Sequence, residues 1–314
     1  MKAIFLSFFL IFSSINVFAD VALPLIVEKA WKLDSEIIVQ TQCGKFTFQP
    51  GSRKVCLNGT TFWLSYPISV NNGIYVKDVD WNSLLQPVFR NKGYSFNTIV
   101  IDPGHGGIET GTIAKVGKIS GIEPEKFYTL AIALRLREIL LKRGFNVVMT
   151  RTRDEQVTLE ERARISNQHV GALFVSIHFN EGGNIANGIE TYYMTPQGGV
   201  PTNSPGVSIL NASYSDVAAR CAFDIHSSLV KESGFECRGV KSARFAVLRL
   251  NQNPAVLVEC GFLSNPLEAA RVNEPMWQNK IALGIANGIW FSGISKNVIL
   301  SESSPLLNFN NLKK

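Results

Sequence analysis

Histidine is scarce in this chain. Only four occur in 314 residues, at positions 105, 169, 178 and 226, so any imidazole chemistry must draw on these. Other absences narrow the field further. There is no Gly-x-Ser-x-Gly elbow, which removes serine hydrolases of that type. No Gly-x-x-x-x-Gly-Lys-Ser/Thr phosphate loop occurs, and "DPGHGG" lacks the lysine. No Gly-x-Gly-x-x-Gly turn opens a helix after a strand, and no local spacing is that of a zinc finger. The formal charge is only +6. It is spread out, with no Lys/Arg block long enough to indicate nucleic acid. Such a mild balance suits an anionic polymer as well as an ordinary solvated surface.

Long apolar runs are also missing beyond the first stretch, "MKAIFLSFFLIFSSINVFAD". There Lys2 precedes an apolar run from Ala3 to Phe12, and Val17-Phe18-Ala19 gives a small-x-small cleavage pattern. The run is short for a membrane span. Residues 1–19 are therefore expected to be a signal peptide, with no transmembrane segment after cleavage. With no lipobox and no wall-sorting tail, the periplasm is the expected destination, ahead of secretion or wall association. Export permits disulfides. Among Cys43, Cys56, Cys221, Cys237 and Cys260, the near pairs 43–56 and 221–237 are the expected ones, although spacing does not fix connectivity. Cys260 is left over and expected to be buried and inert.

Residues 20–95 read as a β-rich accessory domain. Short alternating runs are punctuated by Pro50-Gly51, Asn58-Gly59 and Asn72-Gly73, and Asn-Gly is a hairpin signal because both residues tolerate positive φ. From Thr98 the rhythm changes to alternating strands and helices. Strands are expected at 98–102, 145–150, 173–178, 189–193, 246–249 and 255–259. Helices are expected at 124–143, from the capping box "TLEE" at 158–161 to about 168, at 215–231, from Asn265, and at 276–291. The expected fold is α/β: a mixed, largely parallel sheet with helices on both faces, preceded by the small β-rich domain. The catalytic domain would cover 96–293, and 294–314 would be a C-terminal tail.

Ligands of such sheets collect at the carboxyl ends of strands. His105, His178 and Glu259 all stand at strand ends, so one rim should gather them. Two histidines and a carboxylate are a common ligand set for catalytic zinc. The carboxylate of that set is less clear from the residues alone: Glu125, in a first helical turn beside Lys126, is either a ligand or a dipole-compensating surface acid. Glu259 ends an apolar strand, where an acid needs a partner or a task. It would move a proton near a zinc-bound water, or pair with Arg151, Arg153 or Arg162. His169 and His226 are expected to be surface or satisfied structural residues.

The stretches "IVIDPGHGG", "PEKFYTLAIALRLREIL", "VVMTRTRDEQVTLEERARISN", "LFVSIHFN", "GIETYY", "RGVKSARFAVLR" and "PAVLVECGFLSNP" occur in that order. Together they resemble the zinc-dependent N-acetylmuramoyl-L-alanine amidases of amidase family 3. The resemblance implies Zn2+ held by His105, Glu125 and His178, with Glu259 as the catalytic acid/base. It implies cleavage of the amide between the lactyl group of N-acetylmuramic acid and L-alanine in peptidoglycan, for wall remodelling or daughter-cell separation. An activator or divisome protein would be the kind of partner to expect. Phe179 and Cys260 depart from the family's usual residues. The 195–215 region, rich in Pro, Gly and Ser, is too poor a helix former to provide the blocking helix of some relatives, so little self-inhibition is expected. "FTFQPGSRKVCLNGTTFWL" resembles a copper-amine-oxidase-type N-terminal module, but 20–95 contains no histidine and no copper site carries over. Two other readings use the same residues: a zinc carboxypeptidase or endopeptidase on wall stem peptides, and a non-catalytic wall-binding protein.

Overall fold

The computed structural model describes residues 19–24, 27–90, 93–113, 121–204 and 216–293. The expected signal stretch before residue 19 and the tail from 294 lie outside the described residues. The N-terminal part is β-rich, as expected: β1 (Asp20–Ala22), β2 (Val27–Leu33), β3 (Glu36–Thr41), β4 (Gly44–Phe48), β5 (Lys54–Leu57), β6 (Thr60–Trp63), β7 (Ser69–Val70) and β8 (Ile74–Lys77). Strands β2 to β6 form an antiparallel meander. At its last hairpin Asn58 and Gly59 take φ of 53° and 86°, the two positive values a type I′ turn requires. β1, β8 and β7 make a separate three-stranded sheet. A helical run follows, with α1 (Asp78–Asp80), a π turn at Trp81–Leu85 and α2 (Gln86–Arg90).

The second part alternates: β9 (Thr98–Pro103), α3 (Glu125–Lys142), β10 (Asn146–Met149), α4 (Leu159–Asn167), β11 (Leu173–Asn180), β12 (Ile189–Met194), α5 (Asp216–Ser233), β13 (Cys237–Ala243), α6 (Ala246–Arg249), β14 (Ala255–Phe262), α7 (Pro266–Asn273) and α8 (Pro275–Ser292). The strand order is β10-β9-β11-β14-β12-β13. All neighbours run parallel except β12 with β14. Side chains alternate between faces. Ile99, Ile101, Val175, Ile177, Val256 and Val258 join the larger core. Val100, Phe174 and Leu257 face the other side with Val247 and Leu248 of α6. Helices thus cover both faces. Thr158 Oγ1 caps α4 by accepting from Glu161 N at 3.2 Å, and Asn265 Oδ1 caps α7.

The β-rich segment does not stand apart. β6 pairs in parallel with β13 through Val240 and Phe62, so the meander continues the same sheet to eleven strands. Gly239 makes this approach close: a Cβ there would lie 2.9 Å from Thr61 O. Phe62 meets Phe223 of α5 edge-on at 5.8 Å. Arg53 Nη2 donates to Val200 O, and Tyr66 OH donates to Gly198 O.

Three expectations need correction. Ala246–Arg249 is a helix rather than a strand; it buries Val247 and Leu248 and leaves Arg249 exposed, and so short an apolar run carries no period of its own. β13 was not expected, because Arg238, Gly239 and Lys241 interrupt its apolar alternation. The disulfides do not form; all five cysteines are free. Cys56 pairs in register with Thr47. Cys43 lies in the β3–β4 turn, beyond the end of β4, and its Sγ donates to Phe89 O instead. Cys237 Sγ instead meets His226 Nε2 at 3.3 Å, and Cys221, five residues from His226 on α5, points to a different side of the helix.

Asp80 closes the turn after β6 by accepting from Ser65 N at 2.6 Å and Tyr66 N at 2.9 Å. Burial pushes its carboxyl up to about 6, against the pull of those N–H groups and Arg53. A raised carboxyl binds its proton more tightly when folded, so its contribution to stability falls as pH rises from about 4 to about 6. The expected size is on the order of 2–3 kcal/mol. In urea denaturation, the stability of Asp80→Asn relative to the natural chain should rise by that amount over this window. A pH-independent difference would contradict the assignment.

Candidate active site

The site begins where β9 ends. After Pro103 the chain enters Gly104-His105-Gly106-Gly107, and His105 takes φ of 60°, a left-handed conformation uncommon for a non-glycine residue. Two buried guanidinium groups hold the turn by its carbonyls. Arg162 of α4 donates to Pro103 O at 2.7 Å and His105 O at 2.8 Å. Arg151 donates to Pro103 O, Gly104 O and Lys126 O at 2.8–3.0 Å. Arg162 is neutralised by Asp102 Oδ1 at 2.6 Å, and Asp102 also accepts from Thr150 Oγ1 and Ser176 Oγ.

His178 lies near the end of β11 and Glu125 opens α3. The structure brings both to His105. Glu125 Oε1 stands 3.2 Å from His105 Nε2 and 3.1 Å from His178 Nδ1. The three donor atoms lie within 4.8 Å of one another. Ligands about 2.0–2.2 Å from a tetrahedral zinc sit roughly 3.3 Å apart, so these residues fit such an ion. Glu125 is fixed from behind: Phe179 N donates to Oε1 at 2.9 Å and Thr112 N to Oε2 at 2.8 Å. Burial pushes the Glu125 carboxyl up, but the two imidazoles outweigh it and hold it well below the usual carboxylate range.

Glycine makes room for this cluster at two positions. A Cβ on Gly104 would lie 2.3 Å from His178 Cε1. One on Gly111, at φ of 67°, would lie 2.6 Å from both Glu125 Oε2 and His105 Cδ2.

Glu259 shares the cluster's rim. It is the register partner of His178 on the adjacent parallel strand, and it lines the same cleft of about 450 Å³ as His105, Glu125 and His178. Its Oε2 is buried without a hydrogen-bond partner. Pairing with Arg151, Arg153 or Arg162 does not occur; Arg151 and Arg162 hold the turn, and Arg153 pairs with Glu155. Burial first, then the charges of Glu125 and Glu190, push the Glu259 carboxyl well above its ordinary range.

Sequence reasoning missed Glu190. It faces Glu259 across β12 and β14 and is buried. It accepts from Lys241 Nζ at 2.5 Å, Tyr192 OH at 2.6 Å, Arg238 Nε at 2.7 Å and Asn180 Nδ2 at 2.9 Å. Burial raises its carboxyl, and Lys241, Tyr192 and Arg238 together bring it below the ordinary value. An acid inside the apolar strand "GIETYY" was the available signal.

The other residues fall as follows. His226 is fully buried and bonded to Thr191 Oγ1 at 3.0 Å, a satisfied structural histidine. His169 is partly exposed and lies outside the cluster. Cys260 points into the larger core, and burial pushes its thiol well up. Phe179 is buried against Tyr128 at 6.2 Å. No helix forms over 195–204, and 205–215 of the same loop lie outside the described residues.

The family described as N-acetylmuramoyl-L-alanine amidase matches residues 99–290. The chain belongs to this family. It is 36% identical over 193 residues to the N-acetylmuramoyl-L-alanine amidase CwlM of Bacillus licheniformis, an alignment covering 61% of this chain and 66% of that protein. It is 30% identical over 243 residues to AmiA of Salmonella typhimurium, covering 67% and 82%. Among solved structures, an N-acetylmuramoyl-L-alanine amidase of Clostridium difficile 630 superposes with a TM-score of 0.52 at 32% identity, covering 63% of this chain and 95% of that one. The CwlD amidase of Clostridioides difficile, solved in complex with the GerS lipoprotein, superposes at 0.53 with 28% identity, covering 62% and 98%. The amidase match spans the four rim residues His105, Glu125, His178 and Glu259 and ends short of the β-rich segment.

Gly104→Ala tests the packing of this amidase site. The added methyl displaces the His178 ring, and divalent-metal affinity measured by calorimetry should fall at least about tenfold, as for lost metal-orienting groups. Circular dichroism should be unchanged. Full metal affinity in the variant would contradict the geometry.

Proposed function

We propose that this chain hydrolyses the amide joining the lactyl group of N-acetylmuramic acid to L-alanine in peptidoglycan, with zinc held by His105, Glu125 and His178. The observation that carries this reading is Glu259: a buried, unpartnered carboxyl oxygen on the strand next to His178, facing a two-histidine, one-carboxylate cluster. Zinc in that cluster supplies Lewis-acid polarisation of a carbonyl and an acidified water.

The chain's own groups do the rest. Glu125 stays ionised between the two imidazoles, and the amides of Phe179 and Thr112 fix the direction of its oxygens. Arg162 and Arg151 hold the turn that aims His105. Glu259 Oε2 is the proton carrier: it takes a proton from the attacking water and returns it to the departing amine nitrogen. The Glu259 Oε2 is buried at the edge of the cleft without a hydrogen-bond partner. Beside the open cleft, a second pocket of about 270 Å³ is lined by Leu159, Phe245, Val247 and Leu257 and reaches the same histidines. It offers an apolar seat for one arm of a branched substrate.

The family places the chain among cell-wall enzymes, and no described helix is long and apolar enough to cross a membrane. We assign 1–19 as a cleaved signal peptide and the periplasm as the compartment. We assign 96–293 as the catalytic unit and 20–95 as an accessory segment, with an activator or divisome protein as the regulatory partner.

Two experiments test this. Glu259→Gln keeps the shape and loses the proton carrier, so kcat should fall by about 10²–10⁴ while one zinc per chain stays bound; undiminished turnover would sink the role. Mass spectrometry of digested peptidoglycan, with no other protein added, should show free L-alanine amino termini and intact muramic acid. These products should vanish with chelator and return with zinc. Release of D-alanine or of cut stem peptides would instead identify a peptidase.

A further inference from the structure

A second cavity, of about 470 Å³, lies at the seam between the β-rich segment and α5. One wall is a stripe of α5, where Arg220, Asp224, Ser227 and Lys231 follow at three- and four-residue steps and so share a face. The facing wall comes from the accessory segment, with Gln42, Asn58 and Phe89. This site belongs to neither part alone and uses none of the rim residues.

Arg220 is its unusual member. Its side chain is only 4% exposed. Nε donates to Asp224 Oδ2 at 2.6 Å, but Nη1 is buried without a hydrogen-bond partner. A buried guanidinium N–H left unmet is costly. Asp224 neutralises one positive charge, and Lys231 adds another at the exposed end of the stripe, so the lining carries a net positive charge. The hydroxyls of Ser227 and Ser228 add donors, and Phe89, Phe223 and Leu57 make an apolar side. A guanidinium whose Nη1 is unmet, beside an apolar wall, suits an oxyanion on an apolar or small body.

We propose that this seam is a non-catalytic binding site for an oxyanion, a carboxylate or a phosphate, with Arg220 as its anchor. It gives the accessory segment a ligand-dependent tie to the catalytic part: an anion seated there touches both walls. The site does not depend on the amide hydrolysis proposed above, because binding is measured without turnover.

The test is calorimetric titration of the zinc-loaded full chain with inorganic phosphate, acetate, a free-acid alanine dipeptide and that dipeptide's C-terminal amide. Saturable binding of phosphate or of the free acids is expected, with the amide at least tenfold weaker than the acid. Phosphate alone binding assigns a phosphate source; the free acids alone binding assigns a peptide carboxylate. Arg220→Gln should weaken binding at least tenfold. Lys231→Glu, on an exposed residue that leaves the core untouched, should weaken it severalfold, and Gly104→Ala should leave it unchanged. No saturable binding in the natural chain overturns the proposal. So does binding that survives both Arg220→Gln and Lys231→Glu, or binding that is lost in Gly104→Ala, since the latter belongs to the rim.

Discussion

The buried Asp102–Arg162 pair is the contact on which the site depends. Asp102 is fully buried at the end of β9, and its two oxygens take hydrogen bonds from Thr150, Ser176 and Arg162. It therefore joins β9 to β11, to the end of β10 and to α4. Removing one member of such a pair strands a charge in the interior, at about 3–5 kcal/mol. Arg162 Nη1, which bonds Asp102, also donates to Pro103 O, and Nη2 donates to His105 O. The same ion pair that fastens α4 to the sheet thus holds His105 in its left-handed turn. Local strain at this candidate ligand residue is sustained by a charge network that its carbonyl joins and its imidazole does not.

Much of this was legible in the chain because strand ends and turns leave local marks. "IVIDPGHGG" and "LFVSIHFN" put a histidine at the end of an apolar run, and a parallel sheet gathers such ends. Glu125 was less legible: a first-turn acid is common on any helix, and only its amidase-like surroundings singled it out. Glu259 stood out as an acid in an apolar strand, but its lack of an arginine partner could be seen only once Arg151 and Arg162 were found holding carbonyls. Periodicity tells which face a side chain takes, not which partner it meets across the sheet. That is why the Glu190 network with Arg238 and Lys241 went unseen, and why disulfides inferred from spacing along the chain failed against strand register.

The accessory segment shows the same limit at larger scale. Turn signals marked the β4–β5, β5–β6 and β7–β8 connections but not β2–β3 or β3–β4, and nothing in them showed that β6 would dock on β13. Without the meander, β13 would be an edge strand with unpaired N–H and C=O groups beside the Glu190 cluster. The segment covers that edge and shares one hydrophobic core with α5. The accessory segment therefore does structural work for the part that carries the rim residues.

His178 and Glu259 occupy paired positions on neighbouring parallel strands, so their backbones stand about one strand spacing apart, near 4.8 Å. That separation is built into the hydrogen-bond ladder and needs no rotamer or loop to maintain it. His105 and Glu125 are placed differently, one on a glycine turn and one on a helix terminus. The site thus has one half set by the strand ladder and one half set by side-chain hydrogen bonds. Metal retention would therefore report on the donors that place the candidate ligands His105 and Glu125, from Arg162, Arg151, Phe179 and Thr112, while the strand ladder keeps His178 beside Glu259.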